Sequence, residues 1–155
     1  MKKAFVIILC GAAAFAWSGQ AASTQAQKPA GEPDRVQVQH ILFAFKGSIP
    51  SESVTRTQAE AKTLAEAILA RARKGEDFKE LVKKYTDDQY PGKYRMSNFG
   101  VEPITTPADK KEYPRAKMVR GFGDCAFKLK VGEIGLAPYD PQASKYGWHI
   151  IKRLE

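Results

Sequence analysis

Two histidines stand near opposite ends of this chain, each among apolar neighbours: Gln39-His40-Ile41-Leu42 and Gly147-Trp148-His149-Ile150-Ile151. Imidazole is the side chain best suited to sharing a proton near neutral pH. A buried imidazole must find hydrogen-bond partners or lose free energy, and a second imidazole is a natural partner. If the strands that carry them pair, the rings become neighbours; otherwise each is a core histidine satisfied by its surroundings. The adjacent carboxylates Asp87 and Asp88 read, on their own, as a solvated turn. Phe99, Met118 and Phe122 read, on their own, as plain core. No third His and no Cys stands beside either histidine, so no zinc site is expected. Nucleophilic catalysis lacks a marker as well. There is no Gly-x-Ser-x-Gly, and Cys125 falls on an apolar helical stripe where an inert thiol is the default.

The elements that must position these residues follow from spacing. Residues 36–45 alternate as a strand, with Val36, Val38, His40 and Leu42 on one side. Thr57-Gln58-Ala59-Glu60 fits a capping box, and Ala61, Leu64, Ala65, Ile68, Leu69 and Ala72 then draw one helical stripe that Gly75 can stop. Asp77 and Glu80 suit a second cap, with Phe78, Leu81, Val82 and Tyr85 on one face. Residues 86–117 read as irregular, with prolines at 91, 103, 107 and 114. A short third helix is expected over residues 119–129, and strands over 134–139 and 147–154. Strand, helix, helix, helix, strand, strand describes an α+β domain with a largely antiparallel sheet covered by helices.

The chain has 155 residues and a net charge of +8, with only two cysteines and two histidines. The length suits one domain. Met1-Lys2-Lys3, the apolar run of residues 4–17 and the small residues of Ser18-Gly19-Gln20-Ala21-Ala22-Ser23 read as a secretory signal peptide of bacterial type. Cleavage after Ala21 is expected, leaving no membrane span and placing the protein outside the cytoplasm, in the periplasm or beyond. It also removes Lys2, Lys3 and Cys10, so the mature charge is +6 and Cys125 has no partner for an internal disulfide. Residues 22–35 lack periodicity and read as a flexible lead-in to a domain over residues 36–155. The basic residues are spread through the helices with acids interleaved, and no stacking platform accompanies them, so no nucleic-acid partner is expected. Oligomeric state is not readable from these features.

In the right order, several segments resemble the parvulin-type peptidyl-prolyl cis–trans isomerases. Val38-Gln39-His40-Ile41-Leu42 resembles the first strand of that family. Gly75-Glu76-Asp77-Phe78-Lys79-Glu80-Leu81 and Tyr85-Thr86-Asp87-Asp88 resemble its "G-x-D-F-x-x-L…S-D-D". Asn98-Phe99-Gly100 is similar to "D-L-G", Phe127-Lys128-Leu129-Lys130-Val131-Gly132-Glu133-Ile134 to "F-x-L-x-x-G-E-I", and Tyr146-Gly147-Trp148-His149-Ile150-Ile151-Lys152 to "F-G-Y-H-I-I-K". The resemblance implies a four-stranded sheet with about three to four helices.

It also implies site roles. His40 and His149 would pair at the floor of the site, with Asp88 facing the prolyl bond. Phe99, Met118 and Phe122 would hold the proline ring, Ser144 would hydrogen-bond a histidine, and Tyr146 would stand at the pocket wall. Proline-containing polypeptides would be the substrates, with no cofactor, metal or covalent intermediate required. A domain that only holds chains would use the same pocket. Residues 46–56 hold only Lys46 and Arg56 as bases, with Glu52 between them, so no requirement for a phosphorylated substrate is expected. Two departures stand out: Met96-Ser97-Asn98-Phe99-Gly100 replaces the usual "G-G-D-L-G", and an insertion lies between Gly100 and Met118.

Overall fold

The strand that carries His40 lies at the centre of the sheet. In the computed structural model, which describes residues 26–155, β1 (Arg35–Phe43) is flanked by β2 (Lys93–Ser97) and β5 (Trp148–Arg153), both antiparallel to it. β3 (Tyr113–Pro114) joins the outer side of β2 in parallel, and β4 (Ile134–Ala137) joins β5 antiparallel. The order is β3-β2-β1-β5-β4. The signal-peptide reading falls on residues outside the described range. Among the described residues, no helix is long and apolar enough to cross a membrane.

The fold is α+β, with five strands where four were expected. β2 and β3 both lie in the segment read as irregular. β2 is five residues long and β3 two, and prolines stand at 91 and 114. Strands that short leave almost no alternation to detect.

The helices form where the caps placed them. α1 (Gln58–Arg73) begins at Thr57, whose hydroxyl accepts from the Glu60 N–H while the Glu60 carboxylate accepts from the Thr57 N–H. α2 (Phe78–Tyr85) begins at Asp77, whose carboxylate accepts from the Glu80 N–H. α3 (Arg120–Lys128) has no side-chain cap. Because Thr57 satisfies amides that would otherwise be orphaned, Thr57→Ala is expected to lower stability by about 1 kcal/mol. The urea midpoint should fall with no change in slope; an unmoved midpoint would mean that water replaces the cap at no cost.

Alternation along the strands divides the core between two faces. Ile41, Phe43, Trp148 and Ile150 pack under α1 and α2 with Ala65, Ile68, Leu81 and Val82. Val36, Val38, Met96 and Ile151 pack under α3 with Phe122, Ala126 and Phe127. His40 shares its side of β1 with Val38, and His149 its side of β5 with Ile151, so both imidazoles stand on the α3 face. β1 and β5 pair His40 with Ile151 and Leu42 with His149, which makes the two histidines diagonal neighbours.

Gly147 makes the approach to β5 possible. Its φ is +140°, and a Cβ there would collide with the Phe43 carbonyl.

Candidate active site

Six of the eight expected site residues line one cavity of about 360 Å³: His40, Asp88, His149, Met118, Phe122 and Tyr146. Three elements carry the polar floor. Asp88 reaches it because the chain leaving α2 runs along β1: the Asp87 N–H donates to the Leu42 carbonyl, and the Thr86 hydroxyl accepts from the Leu42 N–H.

On that floor the polar atoms form a line. Asp88 Oδ2 lies 3.0 Å from His40 Nε2, and His40 Nδ1 lies 3.4 Å from His149 Nδ1. The Tyr94 hydroxyl donates to the same Asp88 oxygen at 3.0 Å. A carboxylate only accepts, so His40 donates through Nε2, and its Nδ1 then accepts from His149. His149 is left with Nε2 as a bare acceptor, and that atom is buried with no partner among the described residues. The assignment is self-consistent only while His149 is neutral, because a proton on Nε2 would be a buried donor with nothing to bond.

The electrostatics agree. Burial pulls the His149 pKa down to about 3, with His40 adding to the effect and Asp88 opposing it. The hydrogen bond from His40 holds the Asp88 carboxyl down to about 2, against the cost of its burial. Burial, and then the Asp88 charge, push the Tyr94 hydroxyl above its usual value. The floor is thus a fixed carboxylate joined to two imidazoles.

The walls are apolar. His40 meets Phe122 and Tyr94 edge-on, with ring centroids 5.1 and 5.3 Å away, and Phe122 meets His149 edge-on at 5.4 Å. Leu42, Ile49 and Val119 complete the lining with Met118 and Tyr146. Tyr146 is held by the loop after β1, where the Ser48 hydroxyl donates to its carbonyl at 2.9 Å. Asp87 also borders the cavity, but its carboxylate is taken by the Arg56 guanidinium and the Ala44 N–H. Arg56, one of only two bases in that loop, is therefore already engaged.

The other two expected residues sit elsewhere. The Phe99 ring lies under the Arg115 guanidinium at 4.7 Å, outside the lining. Arg115 is buried between Phe99 and Phe127, pairs with Glu32 and Asp124, and donates to Asn98. That clamp fastens the end of the insertion. The Met118 N–H bonds back to the Arg115 carbonyl, and Met118 leads directly into Val119 and α3. Ser144 is fully buried, and its hydroxyl donates to the Gly147 carbonyl rather than to a histidine. It shapes the turn into β5.

Spacing alone missed Tyr94, Leu42, Ile49 and Val119. The clearest signal for Tyr94 was the alternation of Tyr94 and Met96 with Lys93 and Arg95, five residues long and set behind Pro91. Cys125 plays no part in the site: burial pushes its thiol up to about 11, which fits the inert reading.

The chain matches the family model described as PPIC-type PPIASE domain over residues 23–155. It is 34% identical over 126 residues to Foldase protein PrsA of Geobacillus sp. (strain WCH70), covering 81% of this chain and 40% of that protein. It is 33% identical over 121 residues to Chaperone SurA of Pseudomonas fluorescens, covering 78% of this chain and 23% of that protein. This chain thus spans less than half the length of either relative. The solution structure of TbPIN1 shares the fold, with a TM-score of 0.53 at 22% identity over 79% of this chain and 98% of that one. With its family model matched over all the described residues, the chain belongs to the PPIC-type peptidyl-prolyl isomerase, or parvulin, family.

Proposed function

We propose that the chain is a peptidyl-prolyl cis–trans isomerase acting on X-Pro bonds of exported or unfolded polypeptides. The observation that carries this reading is the apolar cavity set directly over the Asp88–His40–His149 line. Resonance places a barrier of about 18–20 kcal/mol on peptide-bond rotation. No bond need break; the amide must be desolvated, the ring held, and the twisted state favoured. Met118, Val119 and Phe122 grip the proline ring. Asp88, fixed by His40 and Tyr94, supplies a field beside the carbonyl or the prolyl nitrogen. His149 orients His40. The signal-type N-terminus supports an exported location, where newly delivered chains are the available substrates.

A relative named as a chaperone favours one other reading, a domain that binds extended chains without turning them over. A protease-free isomerisation assay on a proline tetrapeptide separates the two. Turnover well above the uncatalysed rate is expected. Measurable peptide binding with no turnover would replace the isomerase reading with the holding one.

A further inference from the structure

A second cleft, of about 310 Å³, lies beside the proline pocket and plays no part in the proposed reaction. Lys93, Arg95 and Lys111 line it with Tyr94, Tyr113 and a single carboxylate, Asp109. Tyr94 is common to both cavities, its hydroxyl on Asp88 and its ring against Tyr113 at 5.8 Å. Tyr94 therefore borders both cavities at the β2 edge, while Lys93 and Arg95 project from the other side of that strand.

The cations are largely uncommitted. Lys93 and Lys111 make no ion pair among the described residues, and Lys111 lies over the Tyr113 ring at 5.5 Å. Arg95 reaches Glu155 only at 3.6 Å, with both side chains exposed, a contact that a better anion can displace.

The backbone adds a second feature. The His40 N–H donates to the Gly92 carbonyl, and paired groups recur at every second residue of an antiparallel ladder. Tyr94 and Met96 therefore turn their backbone groups toward β1, and Lys93 and Arg95 turn theirs outward. β3 covers β2 only at Met96 and Ser97, so the edge at Lys93 is open to an extended chain.

We propose that this cleft is a subsite for an anionic side chain. A substrate whose proline fills the first cavity runs along the open edge of β2 and lays a nearby Asp or Glu on Lys93, Lys111 and Arg95. The insertion of residues 101–117, which brings Lys111 to β2, is then a specificity element. The proposal takes the neighbouring pocket from the isomerase reading, but it concerns binding and does not depend on turnover.

The test uses fluorescent proline peptides with Glu or Gln at each flanking position in turn, and reads affinity by anisotropy. At one position Glu is expected to bind about fivefold tighter than Gln, with the advantage lost at high salt. Lys93→Gln/Lys111→Gln should abolish that ratio and leave Gln peptides unaffected. Equal affinities at every position, or a ratio intact in the double variant, would overturn the proposal. So would a single-stranded oligonucleotide that outbinds every peptide. A phosphoserine peptide that outbinds Glu, with the gain lost in the double variant, supports the cleft and makes phosphate its better anion. If no peptide is isomerised, the Glu-to-Gln ratio still reports on the cleft, so the two readings fail separately.

Discussion

Asp88→Ala is expected to lower kcat/KM on a proline tetrapeptide by about a hundredfold, with the fold retained. Two donors converge on one Asp88 oxygen, the His40 imidazole and the Tyr94 hydroxyl, each at 3.0 Å. Removing the carboxylate frees both and, among the described residues, takes the one unneutralised carboxylate from the cavity, since Asp87 is matched by Arg56. Asp88→Asn separates the two effects. Its side-chain oxygen can still accept from His40 and Tyr94, so the geometry survives and only the charge is lost. If the field favours the twisted amide, Asn falls nearly as far as Ala; if the carboxylate only positions its neighbours, Asn stays close to wild type. Undiminished turnover in a folded Asp88→Ala/His40→Ala variant would remove both residues from the reaction.

Acid should destabilise this protein through one buried side chain. An exposed histidine titrates at 6.5, whereas burial holds His149 at about 3. Above pH 6.5 the residue is neutral in both folded and unfolded chains and contributes no pH dependence. Below 6.5 the unfolded chain takes up a proton that the folded chain refuses. Stability then falls as pH falls, and the loss levels off near pH 3. In that window the slope from this group is about 1.4 kcal/mol per pH unit. Asp88 acts lower down: its folded pKa is depressed from 3.8 to about 2, so its contribution is intact above pH 3.8 and fades only toward pH 2. The two windows barely overlap. Urea unfolding of wild type and His149→Gln from pH 7 to pH 4 reads the difference. The variant should be less stable at pH 7 and lose the extra slope. Parallel curves for the two proteins would mean that His149 is protonated in the fold.

Most of the scaffold was legible because it obeys local rules. The Thr57 capping box, the Asp77 cap and the apolar stripes of α1 and α2 are spacings within a single turn or two of helix, and each element begins where its cap stands. The pairing of His40 with His149 rested on the family resemblance: spacing alone placed each histidine on a strand and left open whether those two strands pair. The insertion resisted prediction. β3 is held by its neighbours, and Phe99, which looked like a pocket residue, packs under a buried arginine whose partners Glu32 and Asp124 lie far apart in sequence. Ser144 shows a related limit. Its place near His149 was predictable, but the direction of its hydroxyl depends on the turn at Gly147.

The central place of β1 between β2 and β5 has a consequence in time. His40 and Asp88 leave any pore or ribosome well before His149, so an emerging chain holds two members of the cavity floor without the third. The core under α1 and α2 also needs Trp148 and Ile150 from β5. Contacts of that sequence separation form slowly, because the loop between them must close before any stabilisation is returned. A domain built this way has no assembled cavity floor until β5 has docked, and a chain truncated before Trp148 should have neither a completed core nor a completed site.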